Sequence, residues 1–175
     1  MNFRRALTYT FLAVFCLTSL TFAGDGRFRP GDQTIAEIAA TNGNFNTLVA
    51  ALICTDLLGA VSDPGAELTV FAPTDSAFAD AGLNPGNVCT TFSESDLATI
   101  LLYHVVGERR PSPSVINGRN KSITMLAGGS IRPEGRRSLT LLDNLDREVN
   151  ITMPDILASN GIVHVVDGVL LPFVP

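Results

Sequence analysis

Thr69-Val70-Phe71-Ala72-Pro73-Thr74-Asp75-Ser76-Ala77-Phe78 holds a strand, a stop and a helix start in one short stretch. Leu68-Thr69-Val70-Phe71 is a β-branched and apolar run, which reads as a short buried strand with Val70 and Phe71 as core candidates. Pro73 has no N–H to give a sheet, so the strand stops there. Thr74 or Asp75 then offers a side-chain oxygen to the free amides of a small helix running through Ala81.

Outward from this stretch, the two sides differ in texture. Upstream, Thr34 caps a helix over residues 34–40, with Ile35 and Ile38 on one side. The spacing of Phe45, Leu48, Val49, Leu52 and Ile53 predicts a longer helix over 44–58 with these residues facing the core. Downstream, Asn84-Pro85-Gly86 is a turn, and Ser93 caps a third helix whose acidic Glu94 and Asp96 suit the positive end of the helix dipole. That helix buries Leu97, Ile100 and Leu101 and ends near Tyr103-His104. From Val105 onward, short β-branched segments alternate with Gly, Pro, Asn and Asp. Strands are expected over 122–126, 130–132, 139–142, 149–152, 162–166 and 169–171, with Ala127-Gly128-Gly129 as a hairpin turn. Helices first and strands later predict an α+β fold.

The N-terminus carries Arg4 and Arg5, an apolar run over 6–20 and the small-residue site Thr21-Phe22-Ala23, the three-part pattern of a secretory signal peptide. The expected organisation is a signal over residues 1–23, a flexible lead-in over 24–32 and one domain over 33–175; an uncleaved N-terminal anchor is the alternative. After removal of the signal, 10 basic face 17 acidic side chains, a net charge of −7. Such a chain has no general electrostatic reason to bind nucleic acid or an anionic membrane. The basic residues concentrate late, at Arg109, Arg110, Arg119, Lys121, Arg132, Arg136, Arg137 and Arg147. They form either a patch for an acidic partner or scattered solvated charges. Cys16 leaves with the signal, and the two remaining thiols, Cys54 and Cys89, make an even count in an exported chain. That count predicts a disulfide worth about 4 kcal/mol, with buried free thiols as the other reading.

Three segments together resemble the fasciclin domain family. Thr69 to Phe78 is close to its first signature, and Leu101-Leu102-Tyr103-His104-Val105-Val106 is similar to its central Tyr-His motif. Ala158-Ser159-Asn160-Gly161-Ile162-Val163-His164-Val165-Val166-Asp167-Gly168-Val169-Leu170-Leu171-Pro172 is similar to its second signature. The resemblance covers residues 33–175 and implies a β-sandwich or wedge packed against a cluster of short helices. It also implies a secreted or surface-held module of adhesion or matrix contact, not an enzyme. The pair Cys54 and Cys89 lies outside the common signature and brackets its first segment, as a subgroup staple would.

Each motif residue has a structural reading beside the functional one. Thr69, Phe71, Pro73, Thr74, Asp75 and Phe78 are accounted for by strand, stop, cap and core; His164 shares a strand face with Ile162 and Val166; Asn160, Gly161, Asp167 and Pro172 belong to the second signature. Tyr103 and His104 sit among apolar neighbours where their polar atoms need partners, although the resemblance links this region to receptor binding. Asp155-Ile156, in Met153-Pro154-Asp155-Ile156-Leu157, resembles an integrin-recognition element of animal members. An exposed carboxylate beside an aliphatic side chain would complete a receptor-held cation's shell. The alternative is a helix start, with Pro154 and Asp155 in a first turn and Gly161 at the end.

Catalytic signatures are missing: no Gly-x-Ser-x-Gly elbow, no phosphate-cradling Gly-rich loop and no His-Glu-x-x-His occurs. Two separated histidines make no zinc site, the acidic residues form no calcium loop, and the usual haem ligands are short. No metal or cofactor is therefore expected. The partner expected is an extracellular protein or polysaccharide; the second reading is a small, lipid-type ligand held between helices and sheet. Asn120 and Asn150 begin Asn-x-Ser/Thr acceptor patterns. The chain ends just past Pro172 with no second domain or anchor signal, so a released protein of the cell exterior or periplasm is expected.

Overall fold

The structure is a computed structural model and describes residues 31–116, 122–134 and 139–172. The signal expected over 1–23, most of the lead-in expected over 24–32, and Asn120 lie outside the described residues. So do Arg119, Lys121, Arg136 and Arg137.

The helical half comes first. Helix α1 (Ile35–Thr41) starts as expected: Thr34 Oγ1 accepts from the Glu37 amide, and Glu37 returns a carboxylate oxygen to the Thr34 amide at 2.7 Å. The long helix expected over 44–58 is two, α2 (Asn46–Cys54) and α3 (Leu58–Ser62). The reason is a left-handed stop. Asp56 has φ +54°, the Asp56 amide reaches Ile53 O at 3.3 Å, and the Leu57 amide reaches Leu52 O at 3.0 Å. The buried face of α2 is Thr47, Leu48, Ala51 and Leu52, whereas Ile53 is 60% exposed instead of core-facing.

Strand β1 (Leu68–Pro73) leads into α4 (Asp75–Asp80), capped by the Thr74 hydroxyl. Two further helices follow, α5 (Val88–Thr91) and α6 (Glu94–Leu102), the latter capped by Ser93 Oγ on the Asp96 amide at 3.1 Å. Cys54 at the end of α2 and Cys89 in α5 are disulfide-bonded.

The remaining elements are β2 (Val105–Val106), α7 (Ser112–Ile116), β3 (Ile123–Thr124), β4 (Ser130–Pro133), β5 (Thr140–Leu142), β6 (Glu148–Ala158) and β7 (Gly161–Val166). Among the described residues, seven strands form one mixed sheet in the order β2-β1-β7-β6-β5-β4-β3. Of these pairs, β1 and β7, the two signature strands, run parallel and the others antiparallel. The α+β expectation holds, although α5, β2 and α7 have no counterpart among the expected elements and two expected segments differ. Residues 169–171 form no strand, because the Leu170 amide bonds a histidine ring instead of a neighbouring strand. Strand β6 also continues through Ala158, past the 149–152 segment expected, so Pro154-Asp155 begins no helix.

Alternate residues of the central strands feed two cores. Val70 and Ala72 of β1 and Val163 and Val165 of β7 pack on Phe45, Leu48, Phe78 and Leu97 of the helices. Phe71 and Val166 point the other way, into a cluster with Tyr103, Ile131, Leu141 and Leu170. Phe71 of β1 and Ile131 of β4 stand far apart in the strand order yet share this cluster, so the sheet curls over on itself. With both faces covered, β1 and β7 read as nearly continuous apolar runs. Gly161 is required where they meet: a Cβ there would strike the Leu68 carbonyl and lie 2.7 Å from Ile35 Cδ1.

Candidate functional site

Most signature residues hold the scaffold together. Asp75 caps a helix that is not its own. Its carboxylate accepts from the Thr47 amide at 2.7 Å and from the amide and side chain of Asn46, because Phe45 at the start of α2 has no capping oxygen. Burial pushes its pKa up, but these donors outweigh it and hold the carboxyl below its usual range. Asn160 is fully buried, with Oδ1 accepting from the Ile35 amide at 2.9 Å and Nδ2 donating to Val61 O and Asp63 O. One amide thus joins the start of α1, the end of α3 and the β6–β7 turn. Asp167 accepts from the amide and side chain of Asn150, and Asn144 Nδ2 reaches Pro172 O at 3.5 Å.

Tyr103 and His104 are both buried. The Tyr103 hydroxyl donates to Ser130 O at 2.8 Å and accepts from the Asn144 amide at 3.1 Å, fastening α6 to the far strands. Burial raises its pKa. Gly129 lies against the same ring, with φ +70° and a Cβ position 3.1 Å from Tyr103 Cε2, so the expected hairpin turn needs glycine twice over. His104 accepts from the Leu170 amide through Nε2, and burial lowers its pKa to about 4. Neither side chain meets solvent, so a partner at this motif would meet its surroundings, not its rings.

Asp155 stands at a bulge of β6, between Met153 and Ile156, with φ +59°. Its carboxylate is engaged, not free: Oδ1 accepts from the Ser112 amide at 2.7 Å, and Oδ2 takes a short hydrogen bond from the Ser112 hydroxyl. Burial pushes the Asp155 pKa up, yet Ser112 and the nearby His164 ring bring it below the usual value. The Asp155 amide donates to His164 Nδ1 at 3.1 Å, which leaves the His164 proton on Nε2, facing Arg110 O at 2.9 Å. Burial lowers the His164 pKa, and its ring stacks at a tilt on Phe71, with centroids 5.4 Å apart. Ile156 is half-buried against the helical core.

Residues 108–112 form the seam that these groups share. Thr69 Oγ1 donates to Glu108 O and accepts from the Arg110 amide, both at 2.7 Å. Arg109 turns its guanidinium onto the carbonyls of Ala158, Ser159 and Gly161. Sequence reading did not single out Arg109 for this, because its partners are main-chain oxygens about fifty residues away. The Asp143–Arg147 pair was missed in the same way. Asp143 is buried and accepts from the Leu145, Arg147 and Leu171 amides as well as the Arg147 guanidinium, which also reaches Val169 O. Arg109, Arg110, Arg132 and Arg147 each have a carboxylate within ion-pair reach, so the described arginines make no free basic patch.

Two concavities stand out among the described residues. Between helices and sheet lies an apolar gap of about 30 Å³, which admits little more than a water. A groove of about 320 Å³ lies elsewhere, between α4, α6 and residues 167–171, with Phe78, Phe92 and Leu171 in its lining and Asp80, Glu148 and Asp167 also around it. Among the described residues no group of three or more His, Cys, Asp or Glu side chains could hold a metal, and no helix is long and apolar enough to cross a membrane.

The fold is similar to that of about half of a domain pair from the insect cell adhesion molecule Fasciclin I, at a TM-score of 0.67 and 17% identity over 81% of this chain and 51% of that one. An uncharacterized protein of Synechocystis sp. is 36% identical over 138 residues, 78% of this chain and 96% of the relative. Transforming growth factor-beta-induced protein ig-h3 of Sus scrofa is 30% identical over 151 residues, 86% of this chain but 21% of that protein. The sequence model of the fasciclin domain matches residues 43–172, which contain all three motifs, and the chain belongs to the fasciclin domain family.

Proposed function

We propose that this domain is a secreted, non-enzymatic binding module that attaches to an extracellular protein or polysaccharide through the bulged part of β6. The observation that carries this is a change of pattern along one strand. From Glu148 to Thr152, buried Val149 and Ile151 alternate with exposed polar residues; on the two sides of the bulge, Met153 is 55% and Leu157 48% exposed. Exposed apolar side chains flanking Asp155-Ile156 cost solubility and fit a contact surface. The fold's occurrence in a named cell adhesion molecule supports the same reading, and the signal pattern at 1–23 supports export.

Probing glycan and matrix-protein arrays with purified protein tests this. Met153→Thr with Leu157→Thr should lower retention on the bound ligand at least about tenfold while leaving the melting temperature within a few degrees. Equal retention by the double variant would remove β6 from the contact. The groove of about 320 Å³ favours a second reading, a small apolar ligand carried at the cell exterior. The place first expected for such a ligand, between helices and sheet, has room for about 30 Å³ only.

A further inference from the structure

The groove between α4, α6 and residues 167–171 has a definite electrostatic character. Its lining is largely apolar, with Phe78, Phe92, Leu97 and Leu171 among the contributors. Its charged groups are Asp80, Glu148, Asp167 and Arg147. The single cation is spent, because the Arg147 guanidinium is bonded to the buried Asp143 carboxylate and to Val169 O. Asp167 is partly satisfied by Asn150. Asp80 and Glu148 are exposed, and their carboxylates have no hydrogen bond or ion pair among the described residues. Asp80 is the last residue of α4, where a carboxylate does nothing for the carbonyls left free at a helix end, and no basic residue stands in that turn.

We infer that this groove binds an amphipathic organic cation: a compact apolar body with one positively charged nitrogen, set between Asp80 and Glu148. The inference rests on the small-ligand reading and adds the ligand's charge. The apolar lining takes the body by loss of water from both surfaces. The two unpartnered carboxylates give the nitrogen charge-assisted acceptors, and they disfavour a carboxylate or phosphate head at the same place. A volume of about 320 Å³ is at the small end for ligand pockets, which suits a short-chain or single-ring amine more than a two-tailed lipid.

Three probes with one apolar body decide the matter: n-octylammonium, 1-octanol and octanoate, titrated at pH 7 into the isotopically labelled full protein. The expected order is octylammonium roughly tenfold tighter than octanol, with octanoate weakest. Amide shifts should concentrate at residues 78–83, 97–101 and 167–171. Asp80→Asn with Glu148→Gln should bring octylammonium to the level of octanol and leave octanol binding unchanged. If octanol and octanoate bind in the groove as well as the cation does, the charge assignment is overturned and the small-ligand reading survives. If no probe moves those amides, both are overturned.

Discussion

The backbone amide of Leu170 donates a 2.9 Å hydrogen bond to Nε2 of His104, inside a fully enclosed site. Since Nε2 accepts, Nδ1 must carry the ring proton, and it donates to Ile100 O at 2.8 Å. One neutral imidazole thereby ties the last turn of α6 to the segment that follows β7.

A second proton on this ring would face the Leu170 N–H, and burial lowers the His104 pKa from 6.5 to about 4. Between those values the unfolded chain takes up a proton that the folded chain refuses. The part of the stability linked to His104 is therefore complete above pH 6.5, falls by about 3 kcal/mol as the pH drops towards 4 and changes no further below. His164, also lowered by burial, acts in the same direction. Asp75, Asp143 and Asp155 have lowered pKa values, so they lose their contribution only below about pH 4. Urea midpoints at pH 7.5 and 4.5 should differ accordingly, and His104→Gln should remove most of the difference. A flat profile in the unaltered protein would contradict a buried neutral His104.

Asn160→Ala should cost about 3 kcal/mol or more, since it strands the Ile35 amide and the carbonyls of Val61 and Asp63 in a buried place. Asn160→Asp should be worse, because a carboxylate would face two carbonyl oxygens. Chemical denaturation measures both. A loss under 1 kcal/mol for the alanine variant would mean that water replaces the side chain.

Asp155→Ala should lower stability by about 2–3 kcal/mol, because it removes both Ser112 hydrogen bonds and puts alanine at φ +59°. Asp155→Asn keeps an acceptor for the Ser112 amide and a side chain that tolerates the left-handed region, so about 1 kcal/mol is expected. Attachment assays on this carboxylate should therefore use the asparagine variant, with thermal melts alongside. Equal melting temperatures for the alanine variant and the parent would show that the Ser112 contacts carry no weight.

Reduction of Cys54–Cys89 should lower stability by about 4 kcal/mol, as expected when a cross-link over 35 positions is released. Melts with and without reductant, with thiol alkylation to confirm opening, give the comparison. An unchanged melting temperature would reduce the bridge to an ornament of the helical half.

Local signals carried far in this chain. Caps at Thr34, Thr74 and Ser93, the turn at Ala127-Gly128-Gly129 and the β-branched runs at Leu68 and Ile162 mark their elements, because hydrogen bonding and side-chain shape act within a few residues. The failures are equally local in cause. Helix 44–58 broke because Asp56 adopts a left-handed stop that no periodicity reveals. The 169–171 segment reads as a strand until its amide finds a histidine ring in place of a sheet partner.

The candidate site was legible in part. Asp155-Ile156 and Tyr103-His104 stand out in the sequence, but their exposure does not. The Asp155 carboxylate is taken by Ser112, and both Tyr103 and His104 are enclosed. Arg109, Asp143 and the groove had no sequence signal.

By itself, the sequence determined the α+β class, the family and the pairing of Cys54 with Cys89, because each rests on short-range pattern or simple count. Only the tertiary structure decided which polar groups are spent and which are free. Asp75, Asp155 and Arg109 have partners 28 to 52 positions away, while Asp80 and Glu148 face a groove without one. Such pairing follows from chain closure over long separations, and a residue's neighbours in sequence do not record it.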